Sequence, residues 1–364
     1  MRRRAILAVA AIWALSLAGC VIGGLIDYAS LLRAWLCCFT FWIGVPLAGV
    51  TLVLAHDLSG GEWMATAQPA LRAAIATMPI ASLAGVPIIV DLNRLYIWAH
   101  GPQLLANAFY LNPADFRIRC GVYLLLWNAL AAYAMFAPRA GGRAIAPGLS
   151  WISALGLVAL ALSAGFAAID WILSLEPTFW SSAFPYAQSA SWFNTGMAAV
   201  VLIVASVGRP AAERRAHMAD LARILLATTI LWAYLEFIQL LIIWEENLSD
   251  EIPWYLKRLQ SGWPLAIYVD VALGFVIPFF ALLSGRAKSN RAVIVVVCGS
   301  ILLSRVAHVW LMILPEFPTP TPLWLIIAAL LASGGAIVGL FGLWWRRTSA
   351  APLVRSSSWM ADHG

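Results

Sequence analysis

The residues of this sequence that could do chemistry are a few ionisable and amide side chains inside long apolar segments. Glu236 and Gln239 lie three residues apart in one such segment. Asp270 lies in the next segment, and Arg305 and His308, again three residues apart, lie in the one after it. Charged groups are costly in hydrocarbon, so they usually face a bundle interior or a water-filled path. The pattern indicates a proton path or the polar lining of a quinone pocket.

Helical spacing and charge predict how these groups meet. Residues three apart share one face of a helix, so Glu236 faces the same way as Gln239. We expect Arg305 to pair with Asp270 or Glu236 across the bundle, because an unpaired arginine would be costly there. The alternative is a charge-paired, hydrogen-bonded knot that only fixes helix register. The sequence leaves both interpretations open.

Two further groups of polar residues lie near the ends of apolar segments. Asp170 and Glu176 stand at the end of the fifth segment and join the candidates for a proton path or quinone pocket. Asp91 and Arg94 are three residues apart at the end of the third segment. Their spacing predicts a structural ion pair on one helix face, since a pair at that depth reaches water easily.

Signals for a metal or haem are poor. Of five histidines only His308 is inside an apolar segment, so two facing intramembrane imidazoles are not available. The His56-Asp57 pair is expected to form a solvated helix cap. The five cysteines show no CxxC spacing, and the chain carries no glycine-rich phosphate loop or hydrolytic triad. We therefore predict no metal site, no catalytic residue and no redox cofactor bound by this chain alone.

The composition is that of an all-α integral membrane protein. The 364 residues are 62% hydrophobic and only 11% charged, whereas soluble domains carry about 25% charged residues. The 19 tryptophans suit membrane interfaces. The net charge of +6 is better explained by topology than by nucleic-acid binding.

Ten apolar stretches have the length of transmembrane spans. They cover residues 5–25, 34–55, 73–92, 118–137, 148–169, 189–207, 221–244, 264–284, 291–314 and 322–345. Sixteen lysines and arginines fall on one side of these spans and six on the other, with Arg305 inside a span. The positive-inside rule then predicts that both termini are cytoplasmic. We call these two faces the arginine-rich side and the opposite side.

The first apolar stretch is interpreted as a retained helix, because it exceeds the usual length of a signal-peptide core. Leu17-Ala-Gly-Cys20 also resembles a lipoprotein cleavage box, so removal of this helix stays open. A faint repeat relates the exit of span 5, Asp170 to Pro177, to the exit of span 9, His308 to Glu316. We therefore predict two four-helix bundles, spans 2–5 and 6–9, flanked by spans 1 and 10. The first span with its loop covers residues 1–33, the two bundles cover 34–188 and 189–321, and the last span with its tail covers 322–364.

Several motifs resemble one family of membrane subunits. Phe41-Trp42-Ile-Gly44 through Trp63 resembles the second span and following loop of the NrfD/polysulfide-reductase family, and in particular the ActF-type subunit of alternative complex III. The most specific block runs from Trp232-Ala-Tyr234 through Gln239 and Ile243-Trp244 to Trp254-Tyr255. The Asp170-to-Pro177 and His308-to-Pro315 segments continue the resemblance. It covers nearly the whole chain.

The resemblance implies a role in a quinol:cytochrome c oxidoreductase of a respiratory or photosynthetic chain in the bacterial inner membrane. The implied partners are an NrfD-like sister subunit, an iron–sulphur protein, c-type cytochromes and a terminal oxidase, with haem c and iron–sulphur clusters on those partners. This subunit would conduct protons and contribute to a quinone site. Glu236, and the Arg305–His308 pair, depart from the family pattern. The alternatives are a stand-alone proton-coupled transporter and a purely structural anchor.

Overall fold

The computed structural model describes residues 2–100, 108–138, 147–207 and 212–350. No β-strand occurs in these ranges, and ten helical segments are long and apolar enough to cross a membrane. The ten segments match the ten spans predicted from the sequence. The chain is therefore an all-α, multi-pass integral membrane protein, as predicted.

The spans keep their numbers, and several consist of more than one helix. Span 1 is Arg2–Ile26, and span 2 consists of Tyr28–Trp42 and Gly44–Ser59. Span 3 consists of Trp63–Ile75, Met78–Ala84 and Val86–Val90. Spans 4, 5, 6 and 7 are Pro113–Phe136, Ser150–Trp171, Phe184–Val207 and Ala212–Glu245. Span 8 is Trp263–Val271, a π-helical segment Ala272–Val276 and Ile277–Leu283; spans 9 and 10 are Arg291–Ile313 and Leu323–Ala350. A short helix, Ile252–Arg258, lies between spans 7 and 8.

Prolines account for several breaks within spans. The second and third helices of span 3 each carry a proline at one of their first two positions, Pro79 and Pro87. Proline has no backbone N–H, so it is tolerated in the first turn of a helix and interrupts one that runs through it. Pro278 likewise follows the π segment of span 8.

Spans 2 and 6 form the centre of the molecule. Their backbones approach closely where Gly44 meets Trp192 and where Gly196 meets Gly44 and Ala48, because a Cβ atom at either glycine would collide with its neighbours. Within residues 34–188 span 2 packs against spans 3, 4 and 5, and within 189–321 span 9 packs against spans 6 and 8. One hydrophobic core runs through both of these regions. Spans 1 and 10 pack together, and span 10 also covers spans 2 and 3.

Contacts between loops follow the alternation of the spans. On the opposite side, the Tyr28 hydroxyl bonds to Asp91, joining the start of span 2 to the end of span 3. Arg33 bonds to Thr319 in the connection between spans 9 and 10. On the arginine-rich side, Thr66 of span 3 contacts His217 of span 7 at 2.8 Å. Each of these contacts joins residues that the sequence assigned to the same side.

Candidate functional site

Four ionisable side chains from three consecutive spans meet inside the second half of the chain. Glu236 comes from span 7, Asp270 from span 8, and Arg305 and His308 from span 9. We call this group the buried charge cluster. Arg305 and His308 are almost completely buried. The structure thus brings together four residues that the sequence placed in three separate spans.

Asp270 is the centre of the cluster. Its Oδ1 accepts hydrogen bonds from Arg305 Nη2 at 2.8 Å and from Ser304 Oγ at 2.6 Å. Its Oδ2 lies 2.8 Å from His308 Nδ1. Charge-assisted hydrogen bonds of this length are about twice as strong as neutral ones. This dense set of donors favours the ionised carboxylate, since an ionised carboxylate only accepts.

Arg305 is held from three directions. Its guanidinium lies over the indole ring of Trp232, with Cζ 3.4 Å from the ring centroid. Its Nη1 lies 3.4 Å from Ser191 Oγ of span 6. On the remaining side the backbone of Gly274, in the π segment of span 8, comes so close that a Cβ atom there would collide with Arg305 and Ser304. The π segment and its glycine therefore make room for the guanidinium.

Glu236 is the accessible member of the cluster. Its Oε1 lies 3.7 Å from His308 Nε2, and 27% of its side chain is exposed. Span 7 packs against the π segment and Ile277–Leu283 of span 8, but its backbone makes few close approaches to Trp263–Val271. This separation leaves one flank of Glu236 uncovered.

His308 lies between two carboxylates. Because Asp270 accepts from His308, Nδ1 of the imidazole carries the hydrogen in the neutral tautomer, and Nε2 is an acceptor that faces Glu236. The Nε2–Oε1 distance of 3.7 Å is longer than a hydrogen bond, so transfer needs a small side-chain movement or one bridging water. A proton can then pass between Glu236 and His308, while Arg305 and Asp270 neutralise each other.

A second ion cluster closes the opposite side of the molecule. Lys257 Nζ contacts Glu176 and lies 3.0 Å from Glu316 Oε2. Arg258 Nη2 lies 2.7 Å from Glu316 Oε1 and also bonds to the Met312 carbonyl at 2.9 Å. We call Glu176, Lys257, Arg258 and Glu316 the loop ion cluster. It ties the short helix Ile252–Arg258 to the exits of spans 5 and 9, the two segments that the faint repeat relates.

Burial and pairing shift the pKa values of Glu176, Lys257 and Arg258 in the loop ion cluster. For Glu176, burial opposes ionisation, but hydrogen bonds from Lys257 and Thr178 hold its pKa below the ordinary value. For Lys257, burial favours the neutral amine, but Glu176 and Glu316 raise its pKa above the ordinary value. Burial lowers the pKa of Arg258 to about 10, and Glu316 limits the decrease. Glu176, Lys257 and Arg258 therefore remain charged near neutral pH.

Asp170 lies apart from the buried charge cluster. It is fully buried and accepts two hydrogen bonds from Arg119, at 2.8 and 3.0 Å, and one from the Tyr123 hydroxyl at 2.8 Å. This pair joins spans 4 and 5 much as the Asp270–Arg305 pair joins spans 8 and 9. The two halves thus share a carboxylate–arginine pair between their third and fourth spans, with acid and base exchanged.

Two interpretations of the sequence need correction. No salt bridge joins Asp91 to Arg94: Asp91 accepts a hydrogen bond from Tyr28, and Arg94 lies over the Tyr28 ring. The helix ends at Val90 and Asp91 has non-helical angles, so the expected three-residue spacing on a helix face is lost. His56 is not a solvated cap, because it is 1% exposed and bonds to the Gly61 carbonyl at 3.0 Å.

Gln239 of span 7 borders a cavity. The cavity measures about 660 Å³ and is lined mainly by apolar residues of spans 5 and 7 and their following loops, including Phe166, Leu173 and Ile243. Gln239 is 2% exposed; its Nε2 lies 3.1 Å from the Tyr255 hydroxyl, and its Oε1 has no partner. The Tyr110 hydroxyl, also at the cavity wall, lacks a partner too. An apolar cavity with a few polar groups is typical of a small-molecule site.

Several contacts were not predicted from the sequence. The partners of the predicted site residues that were missed are Arg119, Tyr123, Ser191, Trp232, Lys257, Arg258, Ser304 and Glu316. One signal was available: Arg119, Lys257 and Arg258 are three of only six basic residues on the opposite side. A carboxylate at the end of a span there has few other cations to meet.

Among the described residues no group of three or more histidine, cysteine, aspartate or glutamate side chains could hold a metal ion. Neither a known protein family nor a curated protein matches the sequence. The resemblance to NrfD-like subunits stays a prediction from the motifs quoted above.

Proposed function

We propose that this protein is a membrane subunit of a quinol:cytochrome c oxidoreductase of the alternative complex III type, and that it conducts protons through the buried charge cluster. The observation that carries the proposal is the contiguity of Glu236, His308, Asp270 and Arg305 inside the membrane. Four ionisable groups from three spans exceed what helix packing needs, because each must be desolvated at considerable cost.

The cluster suits proton transfer in three ways. The Asp270–Arg305 pair is neutral overall and fixes the orientation of His308. His308 presents Nε2 toward Glu236, 3.7 Å from its Oε1, so this ring nitrogen can accept a proton there. Glu236 has an uncovered flank from which a proton can enter or leave. The motif block around Trp232 that supports the family resemblance lies on the same span as Glu236.

A quinone site is a second candidate function, and the Gln239 cavity favours it. The unpartnered Oε1 of Gln239 requires a hydrogen-bond donor, which the hydroxyl of a quinol would supply. The apolar wall suits a quinol ring and part of its tail. Gln239→Leu should weaken quinol binding, measured by the quenching of intrinsic tryptophan fluorescence, whereas Leu248→Met at the same wall should leave it unchanged.

The proteins that co-purify with this chain test whether it is a subunit of a quinol:cytochrome c oxidoreductase. We expect the tagged protein, extracted in mild detergent from its native membrane, to co-purify with c-type cytochrome and iron–sulphur chains and with quinol:cytochrome c reductase activity. We expect the complex to lie in the bacterial inner membrane with the arginine-rich side in the cytoplasm. A chain that is isolated without partners and carries out proton-coupled transport in liposomes would be a transporter instead. An intact complex whose turnover and proton pumping are unaffected by Glu236→Gln and Arg305→Gln would make the chain an anchor.

A further inference from the structure

Span 6 carries a buried polar stripe beside the buried charge cluster. Gln188, Ser191 and Asn194 are spaced three residues apart, so they fall on one helix face. They are 1%, 1% and 0% exposed. Ser191 contacts Arg305 directly. The stripe therefore extends from the cluster by one turn of helix in each direction along the membrane normal.

The orientation of Asn194 is fixed by its neighbours on span 7. The hydroxyls of Thr228 and Thr229 donate their hydrogens to the Leu225 carbonyl, at 2.9 and 2.8 Å. Both hydroxyl oxygens can then only accept, and they accept from Nδ2 of Asn194 at 3.0 and 3.1 Å. The amide nitrogen is fully used. Oδ1 of Asn194 is left buried without a donor.

Gln188 has no partner for either end of its amide. Spans 6 and 9 run in opposite directions, and Ser191 meets Arg305. Gln188, one turn before Ser191, therefore lies at the depth of His308, one turn after Arg305. Trp232 of span 7 packs against both Arg305 and His308. Unpaired amide atoms of Gln188 and Asn194 thus lie beside the cluster on span 6.

Buried polar groups without partners are rare, because each costs about the full desolvation penalty of the group. Ordered water is the usual partner, since one buried molecule makes about three hydrogen bonds. We propose that Gln188, Ser191 and Asn194 of span 6 bind a row of ordered water molecules in contact with the buried charge cluster. Water can donate to Asn194 Oδ1 and both donate to and accept from Gln188, which no apolar ligand can do.

The role of this row rests on the proposed proton conduction, whereas the waters themselves do not. A hydrogen-bonded row would connect His308 toward the opposite side through Gln188 and toward the arginine-rich side through Asn194. The direct test is a cryo-EM map of the full chain in lipid nanodiscs that resolves ordered water elsewhere in the protein. We expect density within hydrogen-bond distance of Gln188 and of Asn194 Oδ1. A map in which density is missing beside both Gln188 and Asn194 Oδ1, or beside one of them, overturns the proposal.

Variants test the role. Gln188→Leu and Asn194→Leu should each slow quinol-driven proton flux through the complex in liposomes by roughly tenfold, because each removes a buried hydrogen-bonding group. Thr40→Val is the matched control: its buried hydroxyl bonds only to carbonyls of its own helix. Thermal unfolding shows whether each variant is folded. If the map shows the water molecules but both folded leucine variants keep the wild-type proton flux, the row of water is not a proton route. If proton flux is lost in Glu236→Gln but kept in both leucine variants, the row is again excluded as a route, and the proposed function still holds.

If the wild-type complex conducts no protons, the proposed function fails. The density beside Gln188 and Asn194 then still decides whether the stripe binds water. The two failures are therefore distinguishable.

Discussion

His308 lies 2.8 Å from Asp270 through Nδ1, an arrangement that leaves the other ring nitrogen to face Glu236. A carboxylate that holds one nitrogen of an imidazole fixes both its tautomer and its orientation. In this protein the same carboxylate also neutralises Arg305. One aspartate therefore neutralises a buried arginine and orients a histidine whose other ring nitrogen faces Glu236.

Asp270 and Arg305 should be coupled in stability. Removing either partner leaves an uncompensated buried charge, so Asp270→Asn and Arg305→Gln should each lower the free energy of unfolding by about 3–5 kcal/mol. The double variant should lose clearly less than the sum of the two single variants. Denaturant unfolding in detergent micelles measures all three. Additive losses would show that the two side chains do not interact.

Gly274 should tolerate no side chain. A methyl group there would collide with Ser304 and Arg305, so Gly274→Ala should destabilise the protein by about 1–3 kcal/mol, the usual cost of overpacking. Gly299→Ala is the matched control, because no atom lies within 4 Å of a Cβ atom built there. It should be neutral or slightly stabilising, since alanine favours helix over glycine. Equal melting temperatures for the two variants would contradict the close approach.

The Glu176–Lys257 pair should contribute acid sensitivity. The pKa of Glu176 is lower in the folded protein than its ordinary value of 4.5, so the unfolded state binds the proton more readily. Its contribution to stability is therefore present above about pH 4.5 and is lost as the pH falls through the lower folded value. The raised pKa of Lys257 keeps the amine charged across this range.

Glu176→Gln should accordingly flatten the acid side of the stability curve, measured as melting temperature in detergent from neutral to acidic pH. Glu245→Gln, at the exposed end of span 7, should leave the curve unchanged. If the melting temperatures of the wild type and of Glu176→Gln fall in parallel with decreasing pH, the pairing with Lys257 does not lower the pKa of Glu176.

The ten spans and the meeting of Arg305 with Asp270 could be predicted, because hydrocarbon imposes simple conditions. Each span must be about 20 residues long, and each buried charge must find a partner. Few partners were available in neighbouring spans, so the choice for Arg305 narrowed to Asp270 or Glu236. The structure selects Asp270 for direct contact and places Glu236 beyond His308.

The ends of the spans could not be predicted in the same way. Asp91 pairs with Tyr28 rather than Arg94, because the helix stops one residue before it. Lys257 bridges Glu176 and Glu316 only because the short helix Ile252–Arg258 folds back over spans 5 and 9. The π segment around Gly274 lies against Ser304 and Arg305, more than 25 residues further along the chain. These features are set by tertiary contacts over long sequence separations, which periodicity does not contain.

Proton conduction through the buried charge cluster is tested most directly by comparing proton flux through the reconstituted complex in two variants, Glu236→Gln and Glu245→Gln. Both changes remove one carboxylate from span 7, but only Glu236 faces His308. With a pH-sensitive dye in liposomes, Glu236→Gln should reduce quinol-driven proton flux by at least about tenfold, since its amide cannot relay a proton. Glu245→Gln should keep the wild-type rate. Equal fluxes in the two variants would contradict proton conduction through the buried charge cluster.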